Sequence, residues 1–296
     1  MRQVQKDCFS MRIRSVGGQI GAEQLKKVYE IAQDYGQGYV HLTSRQGIEI
    51  PFIKLEDVET VKSELAKAGL EPGACGPRVR TVTACQGSAI CPSGLIDTSA
   101  LAKELDARYF AKDLPHKFKL AVTGCGNNCL KAEENDLGIK GGMQPVWDKS
   151  TCSLCGLCEV ICPGKAIIVS KGDKGDGNLV FTQEKCTNCG KCVKSCPVGA
   201  WQGKAGFLIY FGGTFGNQIA VGKQILPIIF SQEKLFSVID ATIAFFAKYA
   251  RPGERFRSTV ERVGWELLEK ELLEKELAET VLPEMELAEI VLPEQK

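Results

Sequence analysis

The sequence CSLCGLCEVICP at residues 152–163 recurs as CTNCGKCVKSCP at residues 186–197. Each run spaces four cysteines by two, two and three residues and ends in Cys-Pro, which is typical of the [4Fe–4S] ligands of two-cluster ferredoxins. In those proteins the fourth cysteine of each run ligates the other cluster. The spacing therefore predicts two cubane clusters, one held by Cys152, Cys155, Cys158 and Cys196 and the other by Cys186, Cys189, Cys192 and Cys162.

The segment that contains these two runs differs in composition from the rest of the chain. Residues 146–204 are dense in Cys, Gly and Lys, and the segment between the runs predicts a β-hairpin with a glycine-rich tip. Structural zinc is the alternative metal for these cysteines. A zinc site needs only four ligands, however, whereas the two runs supply eight cysteines in this order. We interpret residues 146–204 as an inserted two-cluster ferredoxin domain, which transfers electrons and performs no substrate chemistry by itself.

Four further cysteines lie upstream in two loops rich in small residues, ACQGSAIC at 84–91 and TGCGNNC at 123–129. Their spacing of five and then three residues differs from a ferredoxin run and is poor spacing for a zinc finger, although zinc remains the alternative. The loops predict a third [4Fe–4S] cluster with space beside it for a large group. Its ligands would be Cys85, Cys91, Cys125 and Cys129, while Cys8 and Cys75 have no predicted role.

These motifs, with HLTSRQ at 41–46 and GCGNNCLKAEENDLGI at 124–139, resemble the sirohaem-containing sulfite and nitrite reductases. The match is closest to the catalytic subunit of bacterial anaerobic sulfite reductase, and it covers about residues 8–265. The resemblance implies that the upstream cysteines bind a cluster coupled to sirohaem. It also implies that Cys129 is the axial ligand of the sirohaem iron.

The same resemblance implies a set of side chains around the iron. Arg45, Lys117 and Lys119 would act on the substrate oxyanion, since arginine offers bidentate donors and lysine can supply protons. A further pocket arginine of the longer enzymes has no match here, and Lys131 is a possible substitute. For each cation the alternative is a solvated surface charge. The cofactor-binding residues implied besides Cys129 are Arg80, Gln86, Gly87, Asn127 and Asn128.

The hydrophobic pattern outside the cysteine runs predicts an α+β fold. Residues 8–68 alternate as β-α-β-β-α, with an apolar helix face made by Leu25, Val28, Ala32 and Tyr35. We expect a ferredoxin-like sulfite reductase half-domain at 1–69, a sirohaem and [4Fe–4S] domain at 70–145 and 205–265, and the inserted ferredoxin domain between them. Residues 266–296 form an acidic repeat, in which Pro283 and Pro293 forbid one continuous helix.

Composition excludes several classes of protein. The net charge of +1 combines an acidic tail with a basic body, which suits an anionic substrate. Nucleic acid would also suit a basic body, but neither an aromatic-interleaved basic stripe nor a zinc-finger pattern supports it. The sequence has no apolar run long enough to span a membrane and no apolar core of a signal peptide at its start. The fourteen cysteines, most of them at metal-ligand spacing, indicate a reducing cytoplasm, as in an anaerobe.

The predicted function is six-electron reduction of sulfite to sulfide, with electrons entering through the two ferredoxin clusters. No dinucleotide-binding glycine loop is visible, so an electron-donor protein or reductase subunit must supply the electrons. The resemblance further implies a homodimer or a place in a hetero-oligomer. The alternatives are nitrite reduction to ammonium, and an electron-transfer subunit that carries no sirohaem.

Overall fold

The computed structural model describes residues 2–170 and 177–280, except for the side chains of 274–280. At its N-terminal end, strands β1 (Cys8–Ile13), β2 (His41–Leu42) and β3 (Ile48–Lys54) form an antiparallel sheet in the order β1-β3-β2. Helices α1 (Ala22–Tyr35) and α2 (Val58–Lys67) share a buried apolar core with this sheet. The predicted β-α-β-β-α order is therefore confirmed.

The predicted apolar face of α1 is partly wrong. Leu25 is 49% exposed, whereas Val28, Ile31 and Ala32 are buried. The buried stripe of α1 therefore begins one turn later than predicted, at Val28.

The second unit is built on a four-stranded sheet in the order β4-β5-β6-β9. Its strands are β4 (Thr83–Ala84), β5 (Leu120–Thr123), β6 (Leu137–Trp147) and β9 (Trp201–Phe211), and only β9 is antiparallel to its neighbour. Helix α3 (Thr98–Tyr109) connects β4 to β5, and the Asp97 carboxylate caps its first turn by accepting the N–H groups of Ser99 and Ala100.

Three C-terminal helices complete the core of this unit: α6 (Gln232–Tyr249), α7 (Phe256–Val263) and α8 (Trp265–Thr280). Helix α6 covers most of the apolar stretch 235–250 and is largely buried. Helix α8 begins the predicted acidic tail, and Leu268 and Leu272 bury one side of it against the core. The two prolines predicted to interrupt the tail lie outside the described residues. Among the described residues, no helix has both the length and the apolar character needed to cross a membrane.

The cysteine-rich segment lies at the tip of a long antiparallel pair. Strands β6 and β9 pair along their whole length, from Leu137 opposite Phe211 to Trp147 opposite Trp201. Residues 148–200 lie between them and include α4 (Leu157–Ile161), α5 (Lys191–Ser195) and the hairpin of β7 (Ile167–Ser170) and β8 (Asn178–Phe181). The predicted glycine-rich tip of that hairpin, at 171–176, is outside the described residues. A last pair, β10 (Thr214–Phe215) and β11 (Ile219–Ala220), follows β9.

The loop between β2 and β3 joins the two units. The side-chain amide of Gln46 donates to the Ala84 carbonyl at 2.8 Å and accepts from the Ala84 N–H at 3.0 Å. Because Gln46 thus imitates a neighbouring strand, it fixes the end of β4 directly before Cys85. The HLTSRQ motif is in this way attached to the first cysteine loop.

Candidate active site

A cavity between the two units collects positive charge. Among the described residues its lining contains no carboxylate group. Three of its cations are the predicted substrate-binding residues, a fourth is the predicted Arg80, and the fifth was not predicted. The five cations are Arg12, Arg45, Arg80, Lys117 and Lys119.

Arg12 is the cation of this cavity that was not predicted from the sequence. It lies on β1, on the strand face opposite Ile13, and its guanidinium is held by the Glu49 carboxylate with Nε donating to Oε1 at 2.7 Å. Strand alternation alone could have indicated it, because Ile13 points into the half-domain core and its neighbours therefore point toward the second unit. Lys131, the predicted substitute for a pocket arginine, lines a different cleft, and its Nζ lies 3.9 Å from Glu134 Oε1.

Arg45 is held rigidly at the wall of this cavity. Its Nη1 donates to Asn135 Oδ1 at 2.6 Å, and its Nη2 donates to the Thr81 carbonyl at 3.1 Å. Burial lowers the pKa of Arg45 to about 10, the Asp136 charge opposes that fall, and the neighbouring Arg80 and Arg12 add to it. The side chain therefore remains charged near neutral pH and keeps its orientation.

Lys119 is positioned through its backbone. Its N–H donates to Asp136 Oδ2 at 2.9 Å, and both oxygens of that carboxylate accept from Arg255 Nη2, at 2.9 and 3.1 Å. Burial lowers the pKa of Lys119, the Arg45 charge lowers it further, and the Asp136 charge opposes both effects. Lys119 therefore gives up a proton more readily than an ordinary lysine does.

Two clefts meet at Cys129, and one of them adjoins the cationic cavity. The first cleft shares Arg45 and Lys119 with the cavity and reaches Cys129 and Phe215. The second is lined by Cys129, Cys85 and Gln86 and reaches Gly17 and Gly18. Their empty volumes, partly open to solvent, are about 910 and 930 Å³. A path lined by charge thus leads from the cavity to the exposed thiol of Cys129.

The two loops that carry the upstream cysteines approach each other closely. The Gly124 N–H donates to Cys85 Sγ at 3.0 Å. Gly87 has a φ of +63°, and a Cβ there would lie 2.4 Å from Thr98 Oγ1, so no other residue fits this turn. The predicted Gly87 is thus required by backbone packing beside Cys85.

The other predicted cofactor-binding residues have different surroundings. Asn128 Oδ1 accepts the N–H of Ala132, and its backbone has a φ of +50°, so this side chain stabilises the turn after Cys125. Asn127 is exposed and lines neither of the two clefts. Arg80 lines the cationic cavity and donates to the Gly76 carbonyl at 2.8 Å, which anchors its guanidinium group.

The eight cysteines of the ferredoxin-type runs divide into two sites. We call the first the outer site; its four thiols line one cavity together with Val169, Leu179 and Trp201. This site draws its fourth thiol from the second run, which matches the predicted exchange of cysteines between runs. The outer site consists of Cys152, Cys155, Cys158 and Cys196.

The second set, which we call the inner site, shows the reciprocal exchange. Burial raises the pKa of Cys192 to about 12, and the thiols of Cys186, Cys189 and Cys162 raise it further because they are close enough to interact. The Asn188 N–H donates to Cys186 Sγ at 3.4 Å. The inner site consists of Cys162, Cys186, Cys189 and Cys192.

The inner site contacts both upstream cysteine loops. A Cβ on Gly126 would lie 3.5 Å from the Cys189 Cβ, so these backbones are in contact. On the other loop, Lys194 Nζ donates to the carbonyls of Pro92 and Gly94, at 2.9 and 3.1 Å. The Met143 N–H also donates to the Asn188 carbonyl at 2.8 Å, which ties the inner site to β6. The cysteine sites therefore follow one another in space in the order outer, inner, upstream.

The donor sets suit iron–sulfur clusters better than zinc. Among residues 2–170 and 177–280, no three His, Cys, Asp or Glu side chains converge closely enough to hold a single metal ion. The outer thiols instead surround a cavity, and backbone N–H groups point at sulfur, as Leu154 does toward Cys152 at 3.4 Å. The exposed Cys129 thiol between two clefts and the cations beside it fit a sirohaem, whose macrocycle bears many carboxylates.

Comparison with known proteins identifies the family. Residues 75–281 match the nitrite and sulphite reductase 4Fe-4S domain, and residues 1–68 match the nitrite/sulfite reductase ferredoxin-like half domain. The chain belongs to the nitrite and sulfite reductase family. Membership implies an oxidoreductase with an iron–sulfur cluster and sirohaem. The match continues to residue 281, so α8 is part of the family unit, whereas the sequence motifs limit the resemblance to about residue 265.

Several relatives are similar to this chain. It is 34% identical over 273 residues to the coenzyme F420-dependent sulfite reductase of Methanocaldococcus jannaschii, covering 90% of this chain and 43% of that protein. It is 32% identical over 169 residues to one of the subunits of the anaerobic sulfite reductase of Salmonella typhimurium, covering 52% of this chain and 50% of that one. The chain thus spans half or less of the length of these two relatives.

Solved structures of the family share the fold. Dissimilatory sulfite reductase I superposes with a TM-score of 0.73 at 19% identity, covering 90% of this chain and 69% of that one. The NirA protein of Mycobacterium tuberculosis gives a TM-score of 0.61 at 20% identity, covering 90% of this chain and 40% of that one. These similarities support the nitrite and sulfite reductase fold predicted from the motifs.

Proposed function

We propose that this chain reduces sulfite to sulfide, at a sirohaem whose iron is ligated by Cys129. The observation that carries the proposal is the five-cation cavity that shares Arg45 and Lys119 with the Cys129 cleft. A cavity of this charge selects a small oxyanion, and the similarity to two sulfite reductases favours sulfite among the oxyanions. When bound, the sirohaem and its cluster would supply an electrophilic iron and electrons.

The overall reaction is HSO₃⁻ + 6 e⁻ + 6 H⁺ → HS⁻ + 3 H₂O, so the residues must bind an anion and deliver protons. Arg45 keeps its charge near neutral pH, and Arg45 and Arg12 can each donate N–H groups to oxyanion oxygens. Lys119, whose pKa is lowered by burial and by Arg45, is suited to give a proton as each S–O bond breaks. Lys117 adds a fourth donor to the lining of the cavity.

The order of the cysteine sites supports electron entry at the outer site. Cys155 of that site is exposed, and Leu157 and Val198 beside it are 40% and 41% exposed. The inner site contacts the upstream loops and so lies between the surface and Cys129. Electrons from a protein donor docked at Cys155 would therefore pass through three thiol-bound clusters to reach the cationic cavity.

The experiment is performed on the full chain purified anaerobically after expression with ample sirohaem supply. We expect a sirohaem absorption spectrum and a higher kcat/KM for sulfite than for nitrite, with a reduced dye as donor. A chain with clusters but no sirohaem would overturn the enzyme proposal and favour an electron-transfer subunit. A higher kcat/KM for nitrite would instead favour the alternative of nitrite reduction, which the same cations could serve.

Pairing of two copies is part of the same proposal. The β10–β11 hairpin and the residue after it carry exposed Phe215, Ile219 and Val221, and Phe215 also lines the Cys129 cleft. Such an apolar edge beside an open site fits a surface covered by a second copy. We expect light scattering of the active protein to give at least twice the chain mass; a fully active monomer would reject the dimer.

A further inference from the structure

Two tryptophans face each other where the β6–β9 pair reaches the cysteine-rich segment. Trp147 and Trp201 are cross-strand partners, and the indole Nε1 of each is buried without a hydrogen-bond acceptor. A buried donor left unpaired costs about 1–3 kcal/mol, so native proteins rarely retain one without a partner. Trp201 is only 3% exposed, so solvent does not satisfy it.

Trp201 differs from Trp147 in its relation to the outer site. Trp201 lines the cavity around the four outer thiols, whereas Trp147 does not. Trp201 and Cys158 line the same cavity and belong to the same buried cluster, and the indole is the first of the groups that oppose the rise in the Cys158 pKa caused by burial. The Phe181 ring, 5.3 Å away at 79°, fixes the plane of the indole. The unpaired donor thus belongs to a ring that lines the outer site.

The two cysteine runs are not equivalent at this position. Five residues after the last cysteine, the second run has Trp201 and the first run has Ile167. Both side chains are buried, at 3% and 2% exposure, but only the tryptophan can donate a hydrogen bond. The position that gives the outer site a tryptophan donor in the second run therefore holds a residue without a donor in the first run.

We propose that the indole N–H of Trp201 donates a hydrogen bond to Cys158 sulfur when the outer site holds its cluster, and that this bond raises the reduction potential of that cluster. The inference rests on the proposed function, because it requires a cluster at the outer site. One-electron reduction adds a negative charge that is shared with the cysteine sulfurs. A donor to sulfur stabilises the reduced form more than the oxidised form, and hydrogen bonds to sulfur are among the factors that set such potentials.

Trp201 is therefore a positioning and tuning residue of the electron-entry end. Raising the potential of the outer cluster makes it accept an electron more readily from a docked donor. The substrate cavity, where oxyanion chemistry would take place, is not in contact with this side chain.

The test compares Trp201→Phe with wild type by anaerobic potentiometric titration, following the reduced clusters by electron paramagnetic resonance. The Cys155→Ser variant assigns the signal of the outer site. We expect the Trp201→Phe change to lower the equilibrium constant for reduction of the outer cluster by about three- to tenfold; tenfold corresponds to about 59 mV for a one-electron couple. The other cluster signals should keep their potentials.

Trp147→Phe is the matched control, because it removes from the facing position an indole whose Nε1 is also buried and unpaired. Its outer-cluster potential should equal that of wild type. An unchanged potential in Trp201→Phe, or equal shifts in both variants, would overturn the assignment. Absence of the outer-cluster signal in the wild type itself would count against the proposed function instead.

A second measurement covers the case in which Trp201→Phe fails to assemble the outer cluster. Wild-type protein labelled with ¹⁵N at the tryptophan indole should show a hyperfine coupling between that nitrogen and the reduced outer cluster. The Trp147→Phe variant, which retains Trp201, should show the same coupling. No resolved indole coupling in either protein would reject the hydrogen bond.

Discussion

Replacing Cys129 with serine is expected to abolish sulfite reduction while leaving the outer and inner clusters intact. Cys129 is the exposed thiol at which both clefts meet, next to Arg45 and Lys119. Loss of even an indirect partner of a metal ligand typically costs 10- to 100-fold in activity, so loss of a shared ligand should cost more than about 100-fold. Activity with a reduced dye, and the magnetic coupling between cluster and sirohaem, are the measurements.

Cys75→Ser is the matched control for this variant. Cys75 is also an exposed thiol, but it lies outside the outer, inner and upstream cysteine sites. We expect Cys75→Ser to retain activity, sirohaem content and all cluster signals. Coupled cluster–haem signals that persist unchanged in Cys129→Ser would reject Cys129 as the bridging ligand, and another thiol of the upstream loops would then have to take that role.

The cysteine sites could be predicted because their information is local. The two runs at 152–163 and 186–197 predict two sets of four cysteines by spacing alone, and the structure brings the thiols of each set together. The upstream loops are separated by helix α3, yet β4 and β5 are adjacent parallel strands, so their ends lie side by side. Cys85 and Cys125 follow those strands and are therefore neighbours.

The groups that hold the cations could not be predicted in the same way. Asn135 and Asp136 contact Arg45 and the Lys119 backbone, yet within GCGNNCLKAEENDLGI they show no spacing that assigns them a partner. Arg255 lies 119 residues from its partner Asp136 in the sequence. Such contacts depend on how the half-domain and the C-terminal helices pack, and hydrophobic periodicity describes elements rather than their docking.

The path of β6 and β9 shows the same limit at the level of domains. Composition changes near residues 146 and 204 indicate an inserted unit. The structure shows that β6 continues to Trp147 and that β9 begins at Trp201, so the strands themselves extend to the cysteine-rich segment. Glycine-rich stretches such as 203–206 do not resemble strands in composition, because close packing requires small residues there; a Cβ on Gly206 would lie 2.5 Å from the Ile229 carbonyl oxygen.

Asp136→Asn is expected to have the second-largest effect, through both stability and substrate binding. The Asp136 carboxylate is buried, at 1% side-chain exposure, and is paired with Arg255. Asparagine can still accept the Lys119 N–H, but it leaves the Arg255 charge uncompensated. Breaking a buried ion pair from one side costs about 3–5 kcal/mol, and because Arg255 is 23% exposed we expect the lower end, measured as a fall in the thermal unfolding midpoint.

The effect on substrate follows from the charges around Lys119. Burial and the Arg45 charge lower the pKa of Lys119, and the Asp136 charge opposes them. Removal of that charge lowers the pKa further, so Lys119 loses its proton at a lower pH than in wild type. We therefore expect the alkaline limb of kcat/KM for sulfite to move to lower pH.

Asp106→Asn separates this electrostatic effect from loss of a buried carboxylate in general. Asp106 is equally buried, pairs with Arg14 at 2.6 Å and accepts the Val82 N–H at 2.9 Å, but its charge is not among those that act on Lys119 or Arg45. Both variants should lower the unfolding midpoint, since each removes a buried carboxylate that pairs with an arginine and accepts a backbone N–H. Only Asp136→Asn should move the alkaline limb, because only Asp136 supplies the negative charge that keeps Lys119 protonated. Equal pH profiles in the two variants would mean that Asp136 contributes only to the stability of the fold. The protonation of Lys119 would then not depend on the Asp136 charge.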